Sequence, residues 1–181
     1  MKFLITFVVF FYCFLVNSQA KIINEIIVEG NNRISSQTIK IFSGFVEGSD
    51  INETELNNIL KELYKTNFFK NVTIKIKDNN LIINVIENPI IQEVIINGVK
   101  KENFKKEIYK SLTLKNKNSY VEFIAKNDLQ KIKNALRVAG YYLSEVKTSI
   151  KQNDNNTIDL IYNINLGKKA LIKNIKFIGD K

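Results

Sequence analysis

The chain lacks several residues on which enzymes commonly depend. Among its 181 residues there is no histidine and no tryptophan. Histidine is the commonest general base and a frequent zinc ligand, so its absence excludes a Ser-His-Asp triad and a histidine-ligated zinc site. The seven glycines are scattered singly, and no glycine-rich phosphate loop is present. These absences predict a protein that is not an enzyme and that holds no metal or other cofactor.

The single cysteine, Cys13, lies in a segment that we expect to be removed. Lys2 precedes the apolar run Phe3–Val16, and small residues follow up to Ala20. This order is typical of a secretory signal peptide, whereas a membrane-spanning helix needs roughly 20 apolar residues. We therefore predict a signal peptide at residues 1–20, with an uncleaved anchor helix as the alternative. The exported protein would have no cysteine, hence no disulfide and no thiolate metal site.

The net charge of +9 comes from lysines that are spread along the whole chain. Lysines occur in every segment and alternate with acidic residues, so we interpret the basicity mainly as a solvated surface. The pairs Lys100-Lys101 and Lys105-Lys106 are interpreted in the same way, with contact to anionic lipid headgroups as the alternative. No nucleic-acid partner is expected, and a secreted nucleic-acid binder would reveal itself by a steeply salt-dependent affinity for DNA.

A strand that ends in glycine occurs three times, at Ile26–Gly30, Val94–Gly98 and Ile175–Gly179. The first two copies are followed by helical periodicity, an aromatic pair and two alternating strands, and the third is followed by the chain terminus. The repeat predicts units at 21–88 and 89–167, and the start of a truncated third unit at 168–181. Positive φ is expected at the first two of these glycines, and Pro89 restricts the joint between the units.

The residue pattern of the first unit predicts two helices and a β-hairpin. Ser35 or Ser36 can cap a short helix, and Asn52 can cap a longer one that ends at Asn67. One apolar face of the longer helix is predicted to be buried: Leu56, Ile59, Leu60, Leu63 and Tyr64. The hairpin consists of a half-buried strand with Val72, Ile74 and Ile76 inside, a turn at Asp78-Asn79-Asn80, and a strand with Leu81, Ile83 and Val85 on one face.

The second unit repeats this order. Phe104, Ile108 and Leu112 indicate its first helix, and Leu129, Ile132, Leu136 and Ala139 its second. Val146, Thr148 and Ile150 alternate with polar residues in the next strand, and Ile158, Leu160, Tyr162 and Ile164 share a face of the last. The aromatic pairs Phe68-Phe69 and Tyr141-Tyr142 are predicted to be core residues. Strand–helix–helix–strand–strand units of this kind are α+β, with both helices packed on one face of a three-stranded sheet.

Four short motifs in this order resemble POTRA domains, the polypeptide-transport-associated modules of outer-membrane assembly proteins. They are Val28–Ser35, Leu63–Val72, Val85–Ile91 and Ala139–Tyr142. More narrowly, they resemble the N-terminal region of the BamA family of assembly factors. Two departures are Asn67 and Asp180, where the family often has glycine and asparagine. The resemblance implies tandem β-α-α-β-β units, each with a three-stranded mixed sheet.

The resemblance also implies a function. It implies a periplasmic arm that is exported to the inner side of the outer membrane. This arm would bind unfolded outer-membrane proteins and accessory assembly lipoproteins. It would be anchored by a C-terminal barrel that is missing from this chain. Extended clients would add to the second strand of each unit by β-augmentation. The residues implied as client-binding are Val72, Ile74, Lys75, Ile76 and Lys77, and Val146, Lys147, Thr148, Ile150 and Lys151.

Several alternatives stay open at this point. The same units could belong to a related translocation pore, a two-partner secretion pore or a cell-division protein. They could also form a free-standing periplasmic binding protein. The lysines of the two strands could serve simply to protect sheet edges from aggregation.

Overall fold

The computed structural model describes residues 21–179 as two compact units. The first contains residues 21–65 and Val72–Val85, and the second contains Thr66–Asn71 and residues 86–179. The predicted signal peptide and Asp180 lie outside the described residues. Within residues 21–179, no helix is both long enough and apolar enough to cross a membrane.

The elements up to the first joint are β1 (Lys21–Ile22), β2 (Glu25–Glu29), α1 (Ser36–Ser43), β3 (Asp50–Ile51), α2 (Glu53–Lys65), β4 (Phe69–Lys77) and β5 (Asn80–Glu87). The first sheet is mixed and three-stranded, as predicted, with strand order β2-β5-β4 and β2 parallel to β5. Separately, β1 and β3 form a two-stranded antiparallel ribbon. Sequence periodicity could not reveal this ribbon because each of its strands has two residues.

The elements that follow are β6 (Ile90–Asn97), α3 (Glu102–Ser111), α4 (Glu122–Val138), β7 (Glu145–Asn153) and β8 (Thr157–Asn165). Their strands form the second three-stranded sheet, which repeats the topology of the first. Its strand order is β6-β8-β7, with β6 parallel and β7 antiparallel to the central β8. The predicted β-α-α-β-β order and the α+β class are therefore confirmed for both three-stranded sheets.

The predicted helix caps and turns are present. The Ser35 hydroxyl accepts a hydrogen bond from the Thr38 amide at 3.1 Å, and the Asn52 side chain accepts one from the Glu55 amide at 3.0 Å. Asn67 ends α2 with a φ of 59°. Left-handed residues also form the two hairpin turns, namely Asp78, Asn79, Asn155 and Asn156. Asparagine and aspartate tolerate this backbone better than other side-chain-bearing residues do.

The central strand of each three-stranded sheet contributes more buried residues than either of its neighbours. Leu81, Ile83 and Val85 of β5 are buried, as are Ile39, Ile59 and Leu63 of α1 and α2. In the second sheet the buried residues of β8 are Ile158, Leu160, Tyr162 and Ile164, and they share a core with Ile108 of α3 and with Ile132 and Leu136 of α4. A central strand has a neighbour on both sides, so its helix-facing residues are the best covered.

Two aromatic predictions are wrong in part. Phe69 is buried, but Tyr142 is 65% exposed and Tyr141 is half-buried, stacked on Phe104 with a centroid separation of 6.4 Å. Phe69 is the first residue of strand β4 and is covered there, whereas Tyr142 lies in a turn before β7. Tyr64 is 43% exposed because it lies at the border of the apolar stripe of α2.

The strand expected at Ile175–Gly179 does not form. Residues 166–179 have no regular secondary structure, and residues 167–179 are exposed. A strand requires a neighbour for its backbone groups, and none pairs with this segment among residues 21–179. A third unit beginning at residue 168 stays a prediction.

Replacing Tyr162 by phenylalanine is expected to stabilise the protein. Its hydroxyl is buried in the core without a hydrogen-bond partner among the described residues, and burial raises its pKa above the usual value. Removing an unpaired buried polar group should raise the free energy of unfolding by about 1 kcal/mol. Urea denaturation of the Tyr162→Phe variant and the wild type measures the difference, and a clear loss of stability would contradict an unpaired hydroxyl.

Candidate functional site

The two strands singled out for client binding both lie at a sheet edge. β4 is the outer neighbour of β5, and β7 is the outer neighbour of β8. Each is nine residues long. An edge strand pairs its backbone on one side and directs the alternate N–H and C=O groups away from the sheet. These outward groups are what an added strand would bind.

β4 alternates as predicted. Val72 is buried, Ile74 and Ile76 are half-buried, and Lys75 and Lys77 are exposed. The lysines therefore lie on the open face of the sheet, and the apolar residues lie on the face that α1 and α2 cover. An added strand would find a partly apolar face on one side and a basic face on the other.

Tyr64 occupies part of the β4 edge, a contact that helical periodicity did not predict. Its hydroxyl oxygen accepts a hydrogen bond from the Val72 amide at 3.0 Å. That amide therefore points away from β5. Residues two apart in a strand point their backbone groups the same way, so the backbone groups of Ile74 and Ile76 also point outward. A tyrosine at the border of a helical stripe is the sequence signal that could have suggested such a contact.

Replacing Tyr64 by phenylalanine should free the Val72 amide on the β4 edge. The ring remains and the hydroxyl acceptor is lost, so we expect a stability loss of about 1 kcal/mol. The Val72 amide should exchange faster with deuterium, as measured by NMR. Lys61→Ala, at an exposed position on the same helix, serves as the control. Unchanged exchange at Val72 in the Tyr64→Phe variant would exclude the hydroxyl as its partner.

The alternation of residue types in β7 is not matched by alternating burial. Val146 is buried, but Thr148 is exposed and Ile150 is 42% exposed. These residues pair with the buried residues Ile164, Tyr162 and Leu160 of β8. They face the core side but have a neighbouring strand on one side alone, so their other flank is open. The open flank leaves apolar surface beside a backbone edge that has no strand partner within residues 21–179.

The opposite face of the second sheet carries a network of polar side chains. Asn163 donates to the Ser149 hydroxyl at 3.0 Å, and Asn153 donates to Asp159 at 2.9 Å. Lys151 lies 3.6 Å from the same carboxylate, while Lys147 is exposed near the start of the strand. Lys151 is thus partly committed to a contact within its own sheet, which the sequence pattern could not reveal because Asp159 lies on another strand.

The described residues contain no apparent metal site. Among residues 21–179, no group of three or more histidine, cysteine, aspartate or glutamate residues is placed to hold an ion. What the arrangement offers chemically is backbone hydrogen bonding at the sheet edges, with basic and apolar side chains beside it.

Sequence comparison places both units in one family. The family model described as "POTRA: Surface antigen variable number repeat" matches residues 21–88 and 89–167. The outer membrane protein assembly factor BamA of Neisseria meningitidis is 36% identical over 67 residues, which are 37% of this chain and 8% of that protein. The match thus spans less than a tenth of the length of that relative.

Solved structures share the fold at low sequence identity. The N-terminal domain of Omp85 from Thermosynechococcus elongatus has a TM-score of 0.53 and 18% identity, and the match covers 81% of this chain and 63% of that one. POTRA1-3 of Omp85 from Anabaena has a TM-score of 0.51 and 15% identity, with coverage of 80% and 61%. These similarities confirm the tandem fold that the motifs indicated.

Proposed function

The chain belongs to the POTRA family, and from this we propose that it is the periplasmic arm of an Omp85/BamA-type factor for outer-membrane protein assembly or secretion. In this role it is exported and works at the inner face of the outer membrane. It binds unfolded outer-membrane proteins by adding their extended segments to β4 and β7. Its role is binding and positioning rather than catalysis.

The edge position of β4 and β7 is the observation that carries this proposal. Strand addition uses backbone groups, so one edge can receive clients of many sequences. Transmembrane β-strands alternate apolar and polar residues with a period of two. Such a segment would match the exposed Ile150 on one side of β7 and the polar residues on the other.

Accessory assembly lipoproteins are a second class of partner in this proposal. A three-stranded sheet has two edges, and each of the two sheets could engage a client at one edge and a folded partner elsewhere. Membrane insertion would depend on parts of the protein other than the described residues, since those residues provide binding surfaces alone.

Site-directed photo-crosslinking tests the client-binding proposal. A photo-reactive amino acid replaces Lys75 of β4 or Lys147 of β7, and the matched control carries it at Lys61, an exposed position on α2. A urea-unfolded outer-membrane β-barrel protein is then diluted into the sample. We expect labelling at the two strand positions to exceed that at Lys61 several-fold.

A competition experiment distinguishes strand addition from nonspecific binding of the unfolded protein. An alternating Val/Thr peptide should reduce the crosslinks, whereas the same peptide with N-methylated amides should not, because it cannot donate hydrogen bonds to the edge. Equal labelling at all three positions, or equal competition by the two peptides, would refute client addition at β4 and β7.

A further inference from the structure

The opposite edge of the second sheet, formed by β6, is covered over its first half. The loop between α3 and α4 runs along it. The Ile91 amide donates to the Asn118 carbonyl at 2.9 Å, and the Lys117 amide donates to the Ile91 carbonyl at 2.7 Å. The Asn116 side chain then accepts from the Val94 amide at 2.9 Å. The loop thus protects the edge up to Val94.

Beyond Asn116 the β6 edge opens into a groove beneath α3. The Val94 amide points away from β8, so the backbone groups of Ile96, two residues later, point the same way. Val94, Ile96 and Tyr109 supply apolar lining to a groove of about 310 Å³. Lys105, Lys106 and Lys110 of α3 line the same groove. We call this surface the β6–α3 groove.

The charge of the β6–α3 groove is unbalanced. Its three lysines face one acidic residue, Glu102. Lys110 also contacts Glu107 at 2.8 Å, but both side chains are more than 60% exposed. Such an exposed ion pair contributes little and can exchange for another partner. A ligand carboxylate placed along α3 would therefore meet several cations.

The first unit has a corresponding groove with different charges, lined by Ile26, Lys40 and Glu47. Ile26 and Val94 each lie four residues before the glycine that ends their strand, and the Ile26 amide donates to the Glu47 carboxylate at 2.9 Å. Lys40 lies 2.9 Å from that carboxylate, and the Ile26 amide and then Lys40 lower the pKa of Glu47. An acidic capping residue that already binds the groove's lysine disfavours a second carboxylate.

We propose that the β6–α3 groove is a docking site for an extended polypeptide segment with acidic residues alternating with apolar ones. The segment adds to the outward backbone groups at Ile96. Its acidic side chains meet Lys105, Lys106 and Lys110. The neutral cap Asn116 stands where the first unit has Glu47, so the second groove is the one suited to an acidic segment. This surface is separate from β4 and β7, and the inference does not depend on clients binding there.

Peptide binding to the purified protein tests the inference. The probes are two nine-residue peptides, one alternating valine with glutamate and one alternating valine with lysine. NMR titration should show about tenfold tighter binding of the glutamate peptide, because charge complementarity sets specificity. The amide of Ile96 should also become protected from hydrogen exchange, as expected for a backbone that gains a strand partner.

Charge reversal provides the matched comparison. Lys105→Glu/Lys106→Glu should abolish the preference for the glutamate peptide, whereas Lys61→Glu/Lys173→Glu makes the same change in net charge at exposed positions outside the groove and should preserve it. Equal loss in both double variants would mean nonspecific attraction. Binding without protection of Ile96 would refute strand addition, and protection confined to β4 or β7 would overturn this inference while leaving the proposed function standing.

Discussion

Gly98→Ala is expected to unfold the second unit or to destabilise it by about 4 kcal/mol or more. A Cβ atom at this position would lie 1.7 Å from the Ile164 carbonyl oxygen and 2.8 Å from its carbon. Both are backbone atoms of the central strand β8, so they cannot move aside without breaking the sheet. The residue also has a φ of 87°, which side-chain-bearing residues rarely adopt.

Two other glycines separate steric overlap from backbone strain. Gly48 has a φ of 86° but no atom within 4 Å of an added Cβ, so Gly48→Ala should show the backbone strain alone, about 1–2 kcal/mol. Gly30 is the counterpart of Gly98 in the first sheet, and an added Cβ would lie 2.3 Å from the Val85 oxygen. The expected order of destabilisation is therefore Gly98, Gly30, Gly48.

Hydrogen exchange followed by mass spectrometry is the appropriate measurement, because it locates the loss within the chain. Gly98→Ala should accelerate exchange in β6 and β8, and Gly30→Ala should do so in β2 and β5. If Gly98→Ala proved as mild as Gly48→Ala, the close approach of Gly98 to Ile164 would have to be rejected.

Asp128→Ala is the second substitution expected to have a large effect. The carboxylate lies fully buried on α4 and accepts hydrogen bonds from the Thr113 and Leu114 amides, each at 2.8 Å. Lys131 lies 3.0 Å from it. Removing the carboxylate leaves two amides of the α3–α4 loop without their acceptor, so we expect a loss of about 3 kcal/mol in the second unit.

A carboxylate on the same helix provides the control. Glu122 pairs with Lys126 at 2.7 Å, but both side chains are about 70% exposed. Glu122→Ala should therefore leave the free energy of unfolding nearly unchanged. Urea denaturation of the two variants measures the contrast. Equal effects would show that the Asp128 contacts with the loop add nothing beyond an exposed ion pair.

The stabilisation by Asp128 should depend on pH. Burial alone would raise its pKa, but the amides of Leu114 and Thr113 and the Lys131 ammonium outweigh burial and hold the pKa below its ordinary value. A lowered pKa means that the stabilisation is complete well above the ordinary aspartate pKa of about 3.9 and is lost as the pH falls through the folded-state pKa. The stability difference between the wild type and Asp128→Asn should shrink accordingly below about pH 4.

Sequence patterns predicted the elements whose cause is local. Ser35 and Asn52 cap helices, and Asn67 ends one, because each acts within a few residues along the chain. The apolar alternation of β5 and β8 predicted their buried faces, because a central strand is covered wherever its side chains point to the helices. The departures lie at borders: Tyr64 at the edge of a helical stripe, and Thr148 and Ile150 on an edge strand.

In the candidate sites too, the sequence identified residues by their pattern but not the contacts between distant residues. The lysines of β4 and β7 could be read from the sequence, but the Tyr64 hydroxyl on the Val72 amide and the contact of Lys151 with Asp159 could not. Nor could the carboxylate of Asp128 be assigned to the Thr113 and Leu114 amides.

The sequence by itself thus determined the repeat, the order of helices and strands, and the kind of domain, because periodicity and capping are properties of neighbouring residues. The tertiary structure alone decided which edge amides already have side-chain acceptors and where lysines line an apolar groove. Those features depend on contacts between residues far apart in the chain, and such contacts exist only once the sheets and helices have packed.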